Sequence, residues 1–238
     1  MSRLRNLAAL AFVGALLIPA PVSAAWAAVG GQSHSFNSTL DGVIDLPSAT
    51  TPGNHVIILV TIGSTAETVT ITGTTMTFTL LGPYDNGLNS LRHYIACATA
   101  DGDDTFTVNT TSVTTQSMGA EFSGGSCTVS ASVSRNDVID PYDLTADLVV
   151  PGNALMVSLI RSTTAATWTK DATHTYLATA TTSASASFRV VTAGTYDSVW
   201  TAGAAEIGHL MALAYAEAAP GGGTAKGRLL MGCCGEGQ

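Results

Sequence analysis

Hydrophobic and polar positions alternate with a period of two along much of the chain. Val69 and Ile71 alternate with Thr68, Thr70 and Thr72; Met76, Phe78 and Leu80 with Thr75, Thr77 and Thr79; Phe106 and Val108 with Thr105 and Thr107. Successive side chains of a strand point to opposite faces, so each segment predicts a half-buried antiparallel strand with threonine on its wet side. Threonine suits that side because its branched Cβ fits the pleat while its hydroxyl meets water. Turn-forming clusters at 51–54, 82–87, 101–104, 123–125 and 150–153 separate the segments. Short strands between turns, at intervals of about ten residues, predict an all-β sandwich or barrel. No helical period stands out beyond residue 24.

Two runs are apolar on both faces: Val56-Ile57-Ile58-Leu59-Val60 and Ala154-Leu155-Met156-Val157-Ser158-Leu159-Ile160. A strand apolar on both sides has to be covered on both, which predicts that these are central strands. Each follows a Pro-Gly-Asn, a spacing of 99 residues (52 to 151). Met118-Gly119-Ala120-Glu121-Phe122 resembles Met211-Ala212-Leu213-Ala214-Tyr215 at a spacing of 93 (118 to 211), and Phe106 has its counterpart in Trp200. The pattern predicts one sandwich domain over 30–219, built from pseudo-repeated halves, 30–125 and 126–219, with a Gly-rich tail at 220–238. Chance likeness among Thr- and Ala-rich strands is the competing account.

Composition changes the picture in two ways. Only 11% of residues are charged, against 46% hydrophobic, and the formal charge is −8. Intrinsic disorder is excluded by that hydrophobicity, and a nucleic-acid partner by the lack of a basic footprint. The surface therefore has to consist largely of Thr, Ser, Gly and Ala. Arg3 and Arg5, an apolar run over 7–18 and the small-residue exit Val22-Ser23-Ala24 form a secretory signal pattern, with a retained assembly arm as the alternative. The run is too short to span a membrane, and no second long apolar stretch follows. An oxidising, extracellular setting allows Cys97 and Cys127, both in strand-like text, to pair; two buried free thiols fit equally. Cys233 and Cys234 are adjacent, which favours intermolecular pairing or exposure over a mutual bridge.

Candidate chemistry is sparse. The histidines show no metal-ligand spacing, and no nucleophile elbow, P-loop or dinucleotide fingerprint is present. The reading is non-enzymatic, without an obligatory cofactor. Asp101, Asp103 and Asp104 crowd one turn, and Asp137, Asp140 and Asp143 follow along another segment; extracellular sandwiches bind Ca²⁺ with such loops, while solvated Asx turns are the simpler account. Tyr196 and Trp200 lie four apart and hence on one face, and Trp168 and Tyr176 flank another strand. These four are the candidates for contact with a cell-surface glycan, with core packing as the competing account and Trp168 the first candidate for exposure.

The order Pro-Gly-Asn and central strand, then Leu91-Arg92-His93-Tyr94-Ile95-Ala96, Gly102 through Val108, and Met118 through Gly124 resembles a family of low-charge β-sandwich modules. These occur in phage virion proteins (tail, fibre and capsid-decoration components) and in bacterial surface proteins. Phe188-Arg189-Val190-Val191-Thr192-Ala193-Gly194-Thr195-Tyr196 is similar to their closing strands. The resemblance implies a jelly-roll or immunoglobulin-like antiparallel sandwich with a structural or adhesive role, on a virion surface or outside the cell. Its expected partners are copies of itself or assembly proteins. A secreted carbohydrate-binding or adhesion domain is the second expectation, and a secreted hydrolase the third.

Overall fold

In the computed structural model the threonine–apolar alternation becomes pleated sheet over 70–72 and 105–109, whereas of the segment 75–80 only Thr79 and Leu80 are strand, and every ladder among the described residues is antiparallel. The structure describes residues 25–218 apart from 39–40, 64–66, 86–90, 111–114, 138–141, 144–146, 163, 165–166, 179–182 and 203–207. The signal-like segment 1–24, the tail from 219 with Cys233 and Cys234, and Asp140 lie outside the described residues.

The first half carries β1 (Ala27–Ser38), β2 (Gly42–Asp45), β3 (His55–Ile62), β4 (Thr70–Thr72), β5 (Thr79–Asp85), β6 (Arg92–Thr99), β7 (Thr105–Asn109) and β8 (Thr115–Ser123). Five of them form a large sheet in the order β1-β8-β3-β6-β5, and β2-β7-β4 form a small one. The second half carries β9 (Val129–Asp137), β10 (Tyr142–Asp143), β11 (Leu148–Val150), β12 (Ala154–Ser162), β13 (Trp168–Lys170), β14 (Thr175–Tyr176), β15 (Ala184–Val191), β16 (Gly194–Tyr196), β17 (Val199–Ala202) and β18 (Gly208–Ala216). Its large sheet runs β9-β18-β12-β15-β14, facing the small sheet β10-β17-β13 and the pair β11-β16. The two orders correspond strand for strand once β10–β11 and β16–β17 are taken as interrupted versions of β2 and β7. Large-sheet order 1-8-3-6 against 2-7-4 is jelly-roll winding, so the chain is an antiparallel β-sandwich fold made twice.

Four layers result: small sheet, large sheet, large sheet, small sheet. Val56, Ile58 and Val60 of β3 pack with Ile44, Phe106 and Val108 inside the first unit. Met156 and Ile160 of β12 pack with Trp168, Trp200 and Leu210 inside the second. The other faces of the same strands meet each other, with Ile57, Leu59, Met118 and Phe122 against Leu155, Leu159, Met211 and Leu213. This seam explains why β3 and β12 are buried along their whole length. Covering both faces of a strand removes roughly twice the apolar area from water, at about 25 cal/mol per Å², so the seam contributes on the scale of a third core. Threonine takes the remaining outside positions as expected: Thr70, Thr72 and Thr105 are exposed while Val69, Phe106 and Val108 are buried.

Two further local expectations are revised. Gly82-Pro83-Tyr84-Asp85, read as the start of a turn, lies within β5 as an irregularity between Leu81 and Tyr84. At a sheet edge the absent N–H of Pro83 removes no ladder bond, which is why the strand tolerates it. The 99-residue spacing also places non-equivalent residues together: it sends Ile57, which faces the seam, onto Met156, which faces its own core. A shift of one residue exchanges the faces of a strand, so only an even spacing superposes β3 on β12. The 93-residue spacing keeps the faces, since Met118 and Met211 both enter the seam.

Cys97 and Cys127 form a disulfide. It ties β6 to the connection between β8 and β9, so the second unit is bound to the first where it begins.

Candidate functional site

The four aromatic candidates divide by depth. Trp200 is fully buried at the centre of the second unit's small sheet, and its Nε1 donates to Ser158 Oγ at 3.0 Å. Trp168 is buried too, donating from Nε1 to the Ser183 carbonyl at 3.0 Å. Both indoles are core members closed off from any external partner. Tyr176 remains 40% exposed, but its hydroxyl is committed to the Trp168 carbonyl at 2.9 Å and Lys170 Nζ covers its ring at 5.1 Å. Tyr196 donates to the Thr192 carbonyl at 3.0 Å under the Arg189 guanidinium. Tyr196 and Trp200 lie on separate strands, β16 and β17, and not on one as their spacing implied, and both contact the cluster inside the unit.

The acidic candidates are held apart. The Asp101–Asp104 turn follows β6, whose last residue Thr99 pairs with His55 at the start of β3. Asp137 pairs with Gly208, and Gly208 with Ser162 at the end of β12. Because His209 meets His93 across the seam and His93 pairs with Thr61, this is the opposite end of the strands, roughly 20 Å away along the sheet. Asp143 pairs with Val199 in the backbone ladder. Within the turn, Asp103 Oδ2 accepts from the Thr75 amide at 2.8 Å and from its hydroxyl at 3.2 Å, and Asp101 Oδ1 accepts from the Asp103 amide at 3.4 Å. The Thr75 amide is the main reason that the Asp103 carboxyl sits below its ordinary range. Asp104 Oδ1 accepts from Thr105 Oγ1 at 3.1 Å. These carboxylates fasten loops, and among the described residues no group of three or more His, Cys, Asp or Glu is arranged to hold a metal.

Two buried polar arrangements were not legible as sites in the sequence. Glu121 has no exposure; it accepts from the Thr51 amide at 2.8 Å, Asn54 Nδ2 at 2.6 Å and Gln32 Nε2 at 3.2 Å. A single carboxylate inside the apolar run Met118–Phe122 was the available signal. It pins the 51–54 turn to β8 and β1, and burial is tolerated because each oxygen is hydrogen-bonded. Glu121→Ala is expected to cost about 3 kcal/mol in urea unfolding, since three donors lose their acceptor. Glu217→Ala, which removes the analogous but exposed bond from Asn153 Nδ2, should stay within about 0.5 kcal/mol.

The second arrangement closes one end of the seam. Gln116 Nε2 donates to Ser183 Oγ at 2.7 Å, Arg161 Nη1 to Thr61 Oγ1 at 3.4 Å, and the His93 and His209 rings lie 4.2 Å apart. All six residues are buried. Dispersed through the sequence, they become neighbours only because the two large sheets face each other.

Outside, the small sheet of the first unit presents a flat face with little charge. Its register sets Val43 beside Thr107 and Thr107 beside Thr72, with Thr70 beside Asn109. Val43 is 42% exposed at the edge of this array. The carboxylates nearby are Asp45, which accepts from Thr105 Oγ1 at 3.1 Å, and Asp41, which accepts from the Thr110 amide at 2.8 Å. Asp41, Thr68, Thr70, Asn109 and Thr110 line a depression of about 280 Å³ at one side, open to solvent. Such a face can dock a complementary surface at low desolvation cost, since few ions have to be stripped of water. Compared with family models, curated proteins and solved structures, the chain matches none of them.

Proposed function

We propose that this chain is a non-catalytic structural or adhesive module, a component of a phage virion or of a surface appendage, carried outside the cell by its leader and assembled with copies of itself. The observation that supports this reading most is the outer face of β2-β7-β4, a threonine array with an exposed valine at its edge. Proteins that stay apart in solution ordinarily carry about a quarter of their residues as charges, more than twice the share in this chain. Interface centres are depleted in lysine and acids, and this face lacks lysine altogether. Rigidity supports the same role, because four packed layers hold the loops in fixed relation.

Sedimentation equilibrium of the purified protein tests it. A homo-oligomer is expected, and Thr107→Lys, which places an ammonium at the centre of the array, should weaken association by tenfold or more. A wild-type chain that remains monomeric at high concentration would sink the reading.

A further inference from the structure

The end of the seam that holds the histidines is built differently from the rest of it. Elsewhere the two large sheets meet through aliphatic and aromatic side chains. Here His93 of β6 stacks on His209 of β18, with ring centroids 4.2 Å apart and planes at 40°. Neither ring nitrogen of His93 has a hydrogen-bond partner among the described residues, and the residue has no exposure. Around it stand Thr61 on β3, Tyr84 on β5, Gln116 on β8 and, across the seam, Arg161 on β12. Among the described residues, the charges that act on His93 come from His209 and Arg161, and both oppose its protonation. The opposite end of the seam is clamped. Trp26 donates from Nε1 to the Tyr215 and Ala216 carbonyls, both at 3.1 Å, and the Cys97–Cys127 bridge holds the start of the second unit to β6.

We propose that the seam is an acid-operated hinge, in which protonation of His93 against His209 and Arg161 parts the two jelly-roll units at the histidine end while each unit stays folded. A cation there has water to gain only if the sheets separate, and it meets like charge until they do. Separation cannot begin at the other end, where the disulfide and the Trp26 clamp act. The units therefore swing about residues 124–128 and expose the apolar faces carrying Leu59 and Leu159.

Neighbouring positions on β12 report the two events separately, because Leu159 faces the seam and Ile160 the core of its own unit. Leu159→Cys and Ile160→Cys are made in the full-length, oxidised protein. Labelling by a thiol reagent active in acid is read at each position by peptide mass; each rate is divided by that of the unfolded chain to remove thiol ionisation, and subtracting the rate at 160 from that at 159 removes global unfolding and leaves the opening of the seam. A group that is neutral when the seam is closed and charged when it is open multiplies the open population about tenfold per pH unit. Between pH 6.5 and 4.5 this opening rate at 159 is therefore expected to rise about a hundredfold, and His93→Gln should abolish the rise. An opening rate independent of pH overturns the hinge, as does an equal rise in the His93→Gln protein. If that variant does not fold, His93→Leu, which keeps the position apolar and takes up no proton, gives the same discrimination.

Discussion

Lowering the pH from 7 to 4 is expected to remove more than about 3 kcal/mol from the free energy of unfolding, because buried imidazoles are held neutral by the fold. His93 is kept well below the ordinary histidine range, first by burial and then by His209 and Arg161. His174, 4% exposed and hydrogen-bonded to Ser187 Oγ at 3.0 Å, is lowered to about 4, again mainly by burial. For a base whose pKa is depressed in the native state, the unfolded chain takes up the proton first. The stabilisation is therefore complete above about pH 6.5 and lost as pH falls toward the native value. Each pH unit is worth about 1.36 kcal/mol per group, so His174 accounts for about 3 kcal/mol, and His93 and His55, also lowered mainly by burial, add losses in the same direction. Asp103 and Asp171, whose carboxyls are lowered by hydrogen bonds from Thr75 and Thr173, add losses in the same direction below about pH 4. Urea unfolding at pH 7, 5.5 and 4.5 checks this. Stability should fall with a slope of more than one proton, and His174→Gln should take about one proton off that slope; a flat profile would contradict it.

Gly125→Ala is expected to destabilise the protein by about 4 kcal/mol or more and to lower its melting temperature by roughly 10 °C. Two separate costs combine. Gly125 has φ +66°, where a side chain adds on the order of 1 kcal/mol of strain. The new methyl would also land within the indole of Trp26, against Cε2 and Cζ2. The indole has little freedom to yield, being bonded to the Tyr215 and Ala216 carbonyls and packed edge-on against His55 and Phe122. Its expulsion would open the clamped end of the seam. Gly53→Ala separates the two costs, because Gly53 has φ +92° but nothing near the added methyl, and about 1 kcal/mol is expected there. Thermal melts of both variants, with tryptophan emission followed in parallel, give the comparison. Equal losses for the two substitutions would show that the Trp26 contact contributes little.

Much of the fold could be read along the chain because its outer faces are so uniform. Threonine at 70, 72, 105 and 107 marks the wet side of each strand without ambiguity, so the apolar partners at 69, 71, 106 and 108 fall inside. The doubly apolar runs at 56–60 and 154–160 announced strands covered twice. What covers the second face was not readable, since it is another part of the same chain brought there by tertiary mating. The repeat was visible, but its register was not: a spacing off by one residue, as for β3 and β12, satisfies composition and exchanges the faces. Depth was the hardest quantity. Trp168 and Trp200 offer the same text whether they stack on a glycan or fill a core, and only the closing of the small sheet over β12 decides for the core. The histidine cluster left no trace for a related reason. Its members come from five strands of two units, and nothing along one strand signals its neighbours across the seam.

The connection at 124–128, together with the Cys97–Cys127 bridge, has a further consequence for material handled in dilute solution. Two mating surfaces borne on separate molecules would part as their concentration fell. On one polypeptide they face each other at an effective concentration on the order of millimolar, however few molecules surround them. Dilution alone should therefore never unmake the paired architecture, and each copy can reach its destination as a finished unit.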